Sequence, residues 1–284
     1  MFSDAIARFG ALFEREGSRY VPTELSRGPW DPNALHGGAP SALFAAVCEQ
    51  HDPGTAGFMA RLTVELLRPV PLAPLDLRVH TFRPGKKVQW IEAALFDLDE
   101  REVARATALR LRSEDVDTSG TVQPEVVVPP PPSAVTGAAF PVGAEMVGYW
   151  SANDVRIVGG SWTEPGPATA WFRLRCPVVA GEPVSPFTRV AAVADFGSGV
   201  GNPVRFTRVA AINAEVTIHT HRHPEGEWVC LESVGWAQPH GAGMADSLLH
   251  DEHGPIGRAV QSLLVEPFEQ RPMRTAPRTP PRDL

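Results

Sequence analysis

Alternating apolar and polar positions dominate the first half of the chain and predict a set of β-strands. The strand-like stretches cover residues 61–70, 75–82, 88–96 and 103–111. A side-chain period of two indicates strands with one buried face. The short, proline-punctuated connections between them favour antiparallel pairing. The first half is therefore predicted to form four successive antiparallel strands.

An apolar segment just before these strands, residues 41–50 (SALFAAVCEQ), is predicted to be a helix. It consists of helix-forming residues, and Pro40 stands next to its start, where proline is well tolerated. Because the segment is apolar on nearly all sides, other structure has to enclose it. A second, amphipathic helix is predicted over residues 1–16, where Phe9 and Phe13 fall at helical spacing.

The second half repeats this mixture of short strands and one helix-like run. The strands are predicted at 155–159, 169–175, 211–220, 228–236 and 257–264, and the helix at 187–195.

The two halves share a recurring unit. An alternating stretch ends in Arg68 in the first half and in Arg222 in the second, 154 positions later (222 minus 68). At the same offset Thr107 coincides with Gln261. A unit that recurs once at about half the chain length indicates two copies of one fold.

Composition divides the chain into four parts. Residues 118–143 contain four consecutive prolines and few charges, which predicts an extended linker on the surface. Residues 267–284 are rich in proline and arginine, and we expect a tail that is poorly ordered or lies on the surface. The predicted repeats are then residues 1–117 and 144–266.

Charge and cysteine content narrow the functional classes. The net charge of −7 argues against non-specific nucleic-acid binding, which needs a positive field. No apolar run reaches the length of a membrane span, and the acidic N-terminal segment does not resemble a signal peptide. The three scattered cysteines, Cys48, Cys176 and Cys230, indicate reduced, buried thiols. We expect a cytoplasmic protein.

Four blocks of sequence resemble a known family. They are HGGAPSALFAAV (36–47), ADFGSGVGN (194–202), INAEVTIHTHR (212–222) and GRAVQSLLVE (257–266). In order and spacing they are similar to thioesterase-like double hot-dog proteins, of which acyl-CoA thioesterase II is the best-known relative. The resemblance covers about residues 20–266. It implies an α+β fold, a double hot-dog, in which each of two repeats wraps a curved antiparallel sheet around a central helix.

The resemblance also implies a reaction and three catalytic residues. In that family an Asp, a Thr or Ser, and a Gln of the C-terminal repeat position the water that attacks an acyl-CoA thioester, without a metal or another cofactor. The Asp matches Asp195 and the Gln matches Gln261. Asn213 stands at the position of the hydroxyl, which is a departure from the pattern. An Asn amide can still hold a water or a carbonyl oxygen.

Substrate contacts are expected around the glycines that precede the first central helix. Gly37 and Gly38 lie where the backbone N–H groups of a helix N-terminus can stabilise an oxyanion. The alternative is that these glycines only permit a tight turn and close packing. His36 is a candidate ligand contact, and Trp162, which follows two glycines, is a candidate lining residue of an acyl channel.

Two other functions stay open at this point. The Asn213 departure is compatible with a protein that binds acyl-CoA without hydrolysing it. The segment DFGSGVGNPVRF resembles a hot-dog hydratase signature in Asp195, Asn202 and Pro203, but Arg205 stands where the catalytic His is needed. A hydratase or dehydratase therefore requires a His from elsewhere within reach of Asp195.

Three histidines alternate along one predicted strand, at His219, His221 and His223. Alternation places them on one face, with Ala214 and its alternate neighbours facing the central helix. A metal site is one interpretation, but three positions on one straight strand span too far for a single ion. We expect a solvated face or a contact between copies, which makes a homo-oligomer the predicted assembly.

Overall fold

The computed structural model of the chain describes residues 2–52, 57–122, 124–137, 146–205 and 208–267. Its helices are α1 (Phe2–Phe9), α2 (Gly38–Gln50), α3 (Pro186–Ala194) and α4 (Gly197–Val200), with short 3-10 helices at Glu24–Ser26, Pro132–Ala134 and Tyr149–Ala152. Its strands are β1 (Phe13–Glu16), β2 (Arg19–Pro22), β3 (Phe58–Glu65), β4 (Leu75–Arg83), β5 (Val88–Phe96), β6 (Glu102–Leu111), β7 (Asn153–Gly159), β8 (Ala168–Leu174), β9 (Val209–Thr220), β10 (Val229–Ala237), β11 (Ala242–Asp251) and β12 (Gly254–Pro267).

The twelve strands form one sheet with the order β1-β2-β4-β5-β6-β3-β9-β12-β11-β10-β8-β7. Every pair of neighbouring strands is antiparallel. The order is the same when it is followed inward from either end, because β1, β2, β4, β5, β6 and β3 correspond in turn to β7, β8, β10, β11, β12 and β9. The sheet therefore consists of two half-sheets with the same topology.

The two half-sheets join where β3 pairs with β9. Thr63 lies opposite Thr217, and the two hydroxyls are 3.2 Å apart. Arg61 lies opposite His219 on one side of this pair, and Glu65 lies opposite Glu215 on the other. Because the repeat offset also equates Thr63 with Thr217, an approximate two-fold axis passes between these threonines.

The sequence repeat predicts that Thr107 and Gln261 occupy equivalent positions in the two halves. This prediction is wrong by one residue. Thr63 lies opposite Thr107, whereas Thr217 lies opposite Val260. The structural counterpart of Gln261 is therefore Ala108, an offset of 153 (261 minus 108). A shift of one position in a strand moves a side chain to the other face of the sheet. Gln261 is thus buried on the inner face, whereas Thr107 faces outward.

The central helices α2 and α3 pack side by side in opposite directions. Nearly all of α2 is buried, as its sequence predicts. A Cβ atom on Gly38, at the start of α2, would lie 2.8 Å from the carbonyl oxygen of Ala192, near the end of α3. Tyr149 donates from its hydroxyl to the same carbonyl over 2.6 Å. No helix in the described ranges is long and apolar enough to span a membrane.

The other end of this helix pair carries a buried carboxylate. Glu49, near the end of α2, accepts hydrogen bonds from the hydroxyls of Ser185 and Thr188 at the start of α3, the latter over 3.0 Å. Arg110 donates to the carbonyl oxygens of Cys48 and His51 and so caps α2. Burial raises the pKa of Glu49, although these hydroxyls and the nearby cations act in the opposite direction.

Several parts of the secondary structure differ from the expectations. The strand predicted at 61–70 is observed as β3, Phe58–Glu65. The N-terminal helix ends at Phe9, because Gly10 adopts a φ of 72° and the chain then turns into β1. Strands β1 and β2 were not predicted, since each has only four residues and several are charged. Strand β11 was not predicted either, because its apolar residues alternate poorly.

The segment between the repeats runs along the outer face of the second half-sheet. Trp171 of β8 donates from its indole nitrogen to the carbonyl oxygen of Pro130 over 2.8 Å, and Arg156 of β7 donates to that of Pro132. Residues 138–145 of the predicted linker and residues 268–284 of the predicted tail lie outside the described residues.

The three cysteines are buried and free of disulfide bonds. Burial raises the pKa of the Cys48 and Cys176 thiols to about 12 and that of Cys230 further. Because the thiolate is the reactive form, these residues serve packing rather than nucleophilic chemistry.

We expect Glu49→Gln to stabilise the protein increasingly as the pH rises above about 4.5. A carboxyl group whose pKa is raised on folding favours the folded state while it is protonated, and this contribution is lost as it ionises. Glutamine retains an acceptor for Ser185 and Thr188 but carries no charge. Urea unfolding of both proteins between pH 4 and pH 8 measures the difference. A difference that shrinks with rising pH would show that the folded protein favours the charged form of Glu49.

Candidate active site

The three residues predicted to share a site meet at the carboxylate of Asp195. Asn213 donates from Nδ2 to Oδ1 of Asp195. Gln261 donates from Nε2 to the backbone oxygen of Asp195 over 3.2 Å and approaches Oδ1 at 3.4 Å. Residues from one helix end and two strands therefore converge on one carboxylate.

The end of α3 fixes the position of Asp195. The helix begins at a Ser185 cap and ends at Ala194, so that Asp195 is the first residue beyond it. Its side chain is only 3% exposed. A buried carboxylate requires hydrogen-bond donors around it, and the neighbouring elements supply them.

A β-bulge directs Asn213 toward Asp195. Along β9 and β12, Glu215 lies opposite Ser262 and Asn213 lies opposite Leu263, so that Ala214 is an extra residue without a partner position. The bulge reverses the alternation, which brings Asn213 to the inner face and leaves Ala214 exposed. The prediction that Ala214 faces the central helix is therefore wrong.

Gln261 is held with its amide nitrogen toward Asp195. The backbone N–H of Ser198 donates to Oε1 of Gln261 over 2.8 Å, and this fixes which end of the amide points to the carboxylate. Gly197 makes the arrangement possible, because a Cβ atom there would lie 2.9 Å from Oε1 of Gln261. The glycine-rich segment after Asp195 thus orients the glutamine.

His36 contacts the second oxygen of the same carboxylate. Its Nδ1 lies 3.0 Å from Oδ2 of Asp195 and also 3.0 Å from the backbone nitrogen of Gly38. Nδ1 cannot donate to the carboxylate and accept from Gly38 at once. The charge-assisted bond to the carboxylate is the stronger one, so we assign the Nδ1 proton to it. The ring stacks on Tyr149, with centroids 4.6 Å apart.

The site leaves no room for a side chain at Gly37 or Gly38. A Cβ atom on Gly37 would lie 2.8 Å from both carboxylate oxygens of Asp195, and one on Gly38 would lie 2.7 Å from the Tyr149 ring. The φ of Gly37 is −59°, so conformational freedom is not the reason for the glycine. The glycines bring the positive end of the α2 dipole close to Asp195.

Trp162 belongs to an aromatic wall that begins next to the carboxylate. Phe196 directly follows Asp195 and stacks on Phe172, with centroids 4.7 Å apart. Trp162, in the loop between β7 and β8, lies 5.7 Å from the Phe172 ring and 6.3 Å from that of Phe196. The sequence analysis missed Phe196 and Tyr149, although the position of Phe196 beside Asp195 was a usable signal.

Electrostatics around the site favour the neutral form of Tyr149. Burial, together with the negative charge of Asp195, raises the pKa of Tyr149 well above its usual value. Tyr149 therefore remains a hydrogen-bond donor at any physiological pH. Within the described residues, no group of three or more His, Cys, Asp or Glu side chains is arranged to hold a metal ion.

The three alternating histidines do not share one face. His219 and His221 are exposed, as predicted. His223 lies beyond the end of β9 and turns inward, where its ring stacks on Phe58 at 4.3 Å and lies 5.5 Å from that of Phe187. The prediction of a common outer face is wrong for His223, because the strand ends at Thr220 before the third histidine.

Sequence comparison matches both halves of the chain to one family. Residues 26–111 match the family described as acyl-CoA thioesterase N-terminal domain, and residues 124–265 match acyl-CoA thioesterase C-terminal domain. The second match alone covers 142 of the 284 residues (265 minus 124, plus one). No curated protein sequence matches the chain significantly.

Solved structures share the fold over most of the chain. A protein from Novosphingobium aromaticivorans DSM 12444, provisionally described as a thioesterase, has 21% identity and a TM-score of 0.68, covering 89% of this chain and 98% of its own. A protein of unknown function with a hot dog fold from Alicyclobacillus acidocaldarius has 20% identity and a TM-score of 0.67, covering 93% and 97%. Acyl-CoA thioesterase II from Mycobacterium marinum has 15% identity and a TM-score of 0.63, covering 94% and 98%. At such identities the likeness establishes the fold, which is a hot-dog fold.

We expect Gly37→Ala to destabilise the protein by about 1–3 kcal/mol, because the added methyl group must displace the Asp195 carboxylate from its buried donors. Gly159→Ala is the matched control, since nothing lies within 4 Å of a Cβ atom there. Urea unfolding at pH 7 compares the two variants with the wild type. Equal stability of Gly37→Ala and Gly159→Ala would contradict the close approach of Gly37 to Asp195.

Proposed function

Because the chain belongs to the acyl-CoA thioesterase family, we propose that it hydrolyses an acyl-CoA thioester by attack of a water molecule held at Asp195. The observation that carries this proposal is the convergence of Asn213, Gln261 and His36 on one buried carboxylate. Side chains from both halves of the chain thereby hold one potential base in a fixed orientation.

Asp195 acts as the general base. A carboxylate offers about four lone-pair positions, and the three neighbours occupy three of them. The remaining position, on Oδ2, accepts a hydrogen bond from the attacking water. The amide oxygen of Asn213 is a second acceptor for the same water, so that asparagine takes over the orienting part of the hydroxyl it replaces. The water loses a proton to Asp195 as its oxygen bonds to the thioester carbon.

The N-terminus of α2 at Gly37 directs its positive dipole into the site and stabilises the oxyanion that forms on the carbonyl oxygen. Gln261, whose Nε2 group is turned to Asp195 by Ser198, holds the base in place for this step. When the tetrahedral intermediate collapses, the carbon–sulfur bond breaks, and the CoA thiolate takes the proton held by Asp195. The products are a carboxylic acid and free CoA.

The acyl group lies along the aromatic wall formed by Phe196, Phe172 and Trp162. These rings exclude water next to the thioester carbon and offer planar apolar contacts to the substrate. His36 orients Asp195 and contacts the substrate on the opposite side. In this assignment the chain needs no metal or other cofactor.

We further propose that the fold is a double hot-dog, with each repeat wrapping its half-sheet around α2 or α3. The repeats are residues 1–117 and 144–266, with a linker at 118–143 and a tail at 267–284. The shared topology of the two half-sheets supports this division. A cytoplasmic location and a homo-oligomer built on outer sheet faces complete the proposal.

One observation favours a second candidate, hydration of an enoyl-CoA. The His36–Asp195 pair supplies the imidazole that the sequence lacks at Arg205, within 3.0 Å of the carboxylate. Assays of thiol release and of double-bond loss on the same enoyl-CoA separate the two reactions. A protein that binds acyl-CoA without turnover would instead show a ligand-dependent rise in melting temperature and neither reaction.

We expect Asp195→Asn to lower kcat for CoA release by about 10²–10⁴-fold, because asparagine keeps the shape of the side chain but cannot accept the proton. Release of thiol from short, medium, long and aromatic acyl-CoAs is the measurement. Asp76→Asn, a change of an outer-face aspartate that pairs with Arg19, is the matched control and should retain wild-type activity. If no acyl-CoA is turned over faster by the wild type than by Asp195→Asn, the proposed function is wrong.

We expect Asn213→Thr to retain much of the activity and Asn213→Val to lose about 10-fold or more. The two side chains have nearly the same shape, but only threonine can donate to Asp195, and a hydrogen bond to a charged group contributes about 1.5–3 kcal/mol. Comparison of kcat/KM for the pair isolates that bond. Equal values for the two variants would show that Asn213 does not act through hydrogen bonding.

A further inference from the structure

A groove of about 900 Å³ opens on the outer face of the second half-sheet, away from Asp195. Its basic residues are Arg222, Arg258, His219, His221 and His253. The volume lies within the range of small-molecule sites. The same strands, β9 and β12, carry Asn213 and Gln261 on their inner face, so the groove is separated from the proposed active site by the sheet.

The lining of the groove is basic in a chain whose net charge is −7. No carboxylate is among the described residues that line it. Two aspartates lie next to the lining arginines. Asp251 accepts a hydrogen bond from Arg222 over 2.6 Å, and Asp246 accepts one from Nε of Arg258 over 2.7 Å. These bonds hold the arginines in place, and the guanidinium groups carry further N–H donors.

Three histidines and Arg258 are exposed on this surface. His219 and His221 project from the end of β9, and His253 is 66% exposed beside Glu225, 3.7 Å away. Within the described residues no cluster of His, Cys, Asp or Glu is arranged to hold a metal ion. Imidazole and guanidinium donors without a carboxylate in the lining fit an anion, since a cation would need acidic ligands or converging imidazoles.

One wall of the groove is apolar. Pro124 and Val126 of the linker and Leu248 of β11 are among its lining residues. An apolar wall next to basic side chains suits a ligand that has a flat ring system and phosphate groups together. A bare inorganic anion would leave this wall unused.

From this arrangement we infer that the groove binds the adenosine diphosphate group of a nucleotide, with the phosphates on His219, His221 and Arg258 and the base against the linker. The same group occurs in free nucleotides and at one end of CoA. The inference is independent of hydrolysis at Asp195, so its failure would leave the proposed function untouched.

Calorimetric titration of the full chain with ADP tests the inference, with adenosine and inorganic phosphate as comparisons. We expect ADP to bind more tightly than either. Replacing His219 and His221 together by alanine should raise the Kd for ADP about tenfold or more, since two charge-assisted contacts are lost. The matched control is His80→Ala, an exposed histidine of β4 in the other half-sheet, and it should leave the Kd within about twofold of the wild-type value.

Two further measurements test how the groove recognises ADP. Arg258→Lys keeps the positive charge and should retain more ADP affinity than Arg258→Gln. Competition of CoA with ADP, measured in the Asp195→Asn variant, shows whether CoA can supply the same group. The inference is overturned if ADP produces no binding heat at millimolar concentration, if adenosine binds as tightly as ADP, or if the groove variants bind ADP as the wild type does.

Discussion

The structure depends on the pairing of β3 with β9. This ladder joins two half-sheets into one, and the threonine pair Thr63 and Thr217 lies on the approximate two-fold axis between them. The same symmetry sets α2 and α3 side by side in opposite directions. The start of one helix therefore meets the end of the other at two places, one containing Asp195 and the other Glu49. Everything that distinguishes the two places is a matter of side chains.

Much of the fold follows from hydrophobic periodicity. The strand pattern predicted β4, β5 and β6 to within one residue at each end, and the apolar content of residues 41–50 predicted an enclosed helix. The missed strands are those whose burial comes from tertiary contacts: β1 and β2 are short and charged, and β11 lies between two neighbours that bury it regardless of pattern. The resemblance to a family, rather than periodicity, indicated how the halves combine.

The candidate site was predictable in its members but not in its geometry. Asp195, Asn213 and Gln261 came from matched motifs, and the structure brings them together. The contact of His36 with the carboxylate did not follow from the sequence, because it joins residues 159 positions apart (195 minus 36) through helix packing. The outward position of Ala214 did not follow from the sequence either. A bulge depends on the register of two strands and leaves no local signature. The offset error at Thr107 has a different origin, since the hairpin from Asp246 to Val260 is one residue shorter than the equivalent hairpin from Glu92 to Thr107.

The bulge at Ala214 has a twin in the other half-sheet. In β3, Arg61 lies opposite Leu109 and Met59 lies opposite Arg110, which leaves Ala60 as the extra residue. Backbone geometry of this kind is thus present in both copies, although Met59 and Ala108 stand where the second copy has polar amides. After duplication of a gene segment, selection for folding acts on both copies, whereas selection for chemistry can be met by one. The twin bulges are the backbone feature that two copies of one unit would share, whereas only the second copy carries polar side chains there.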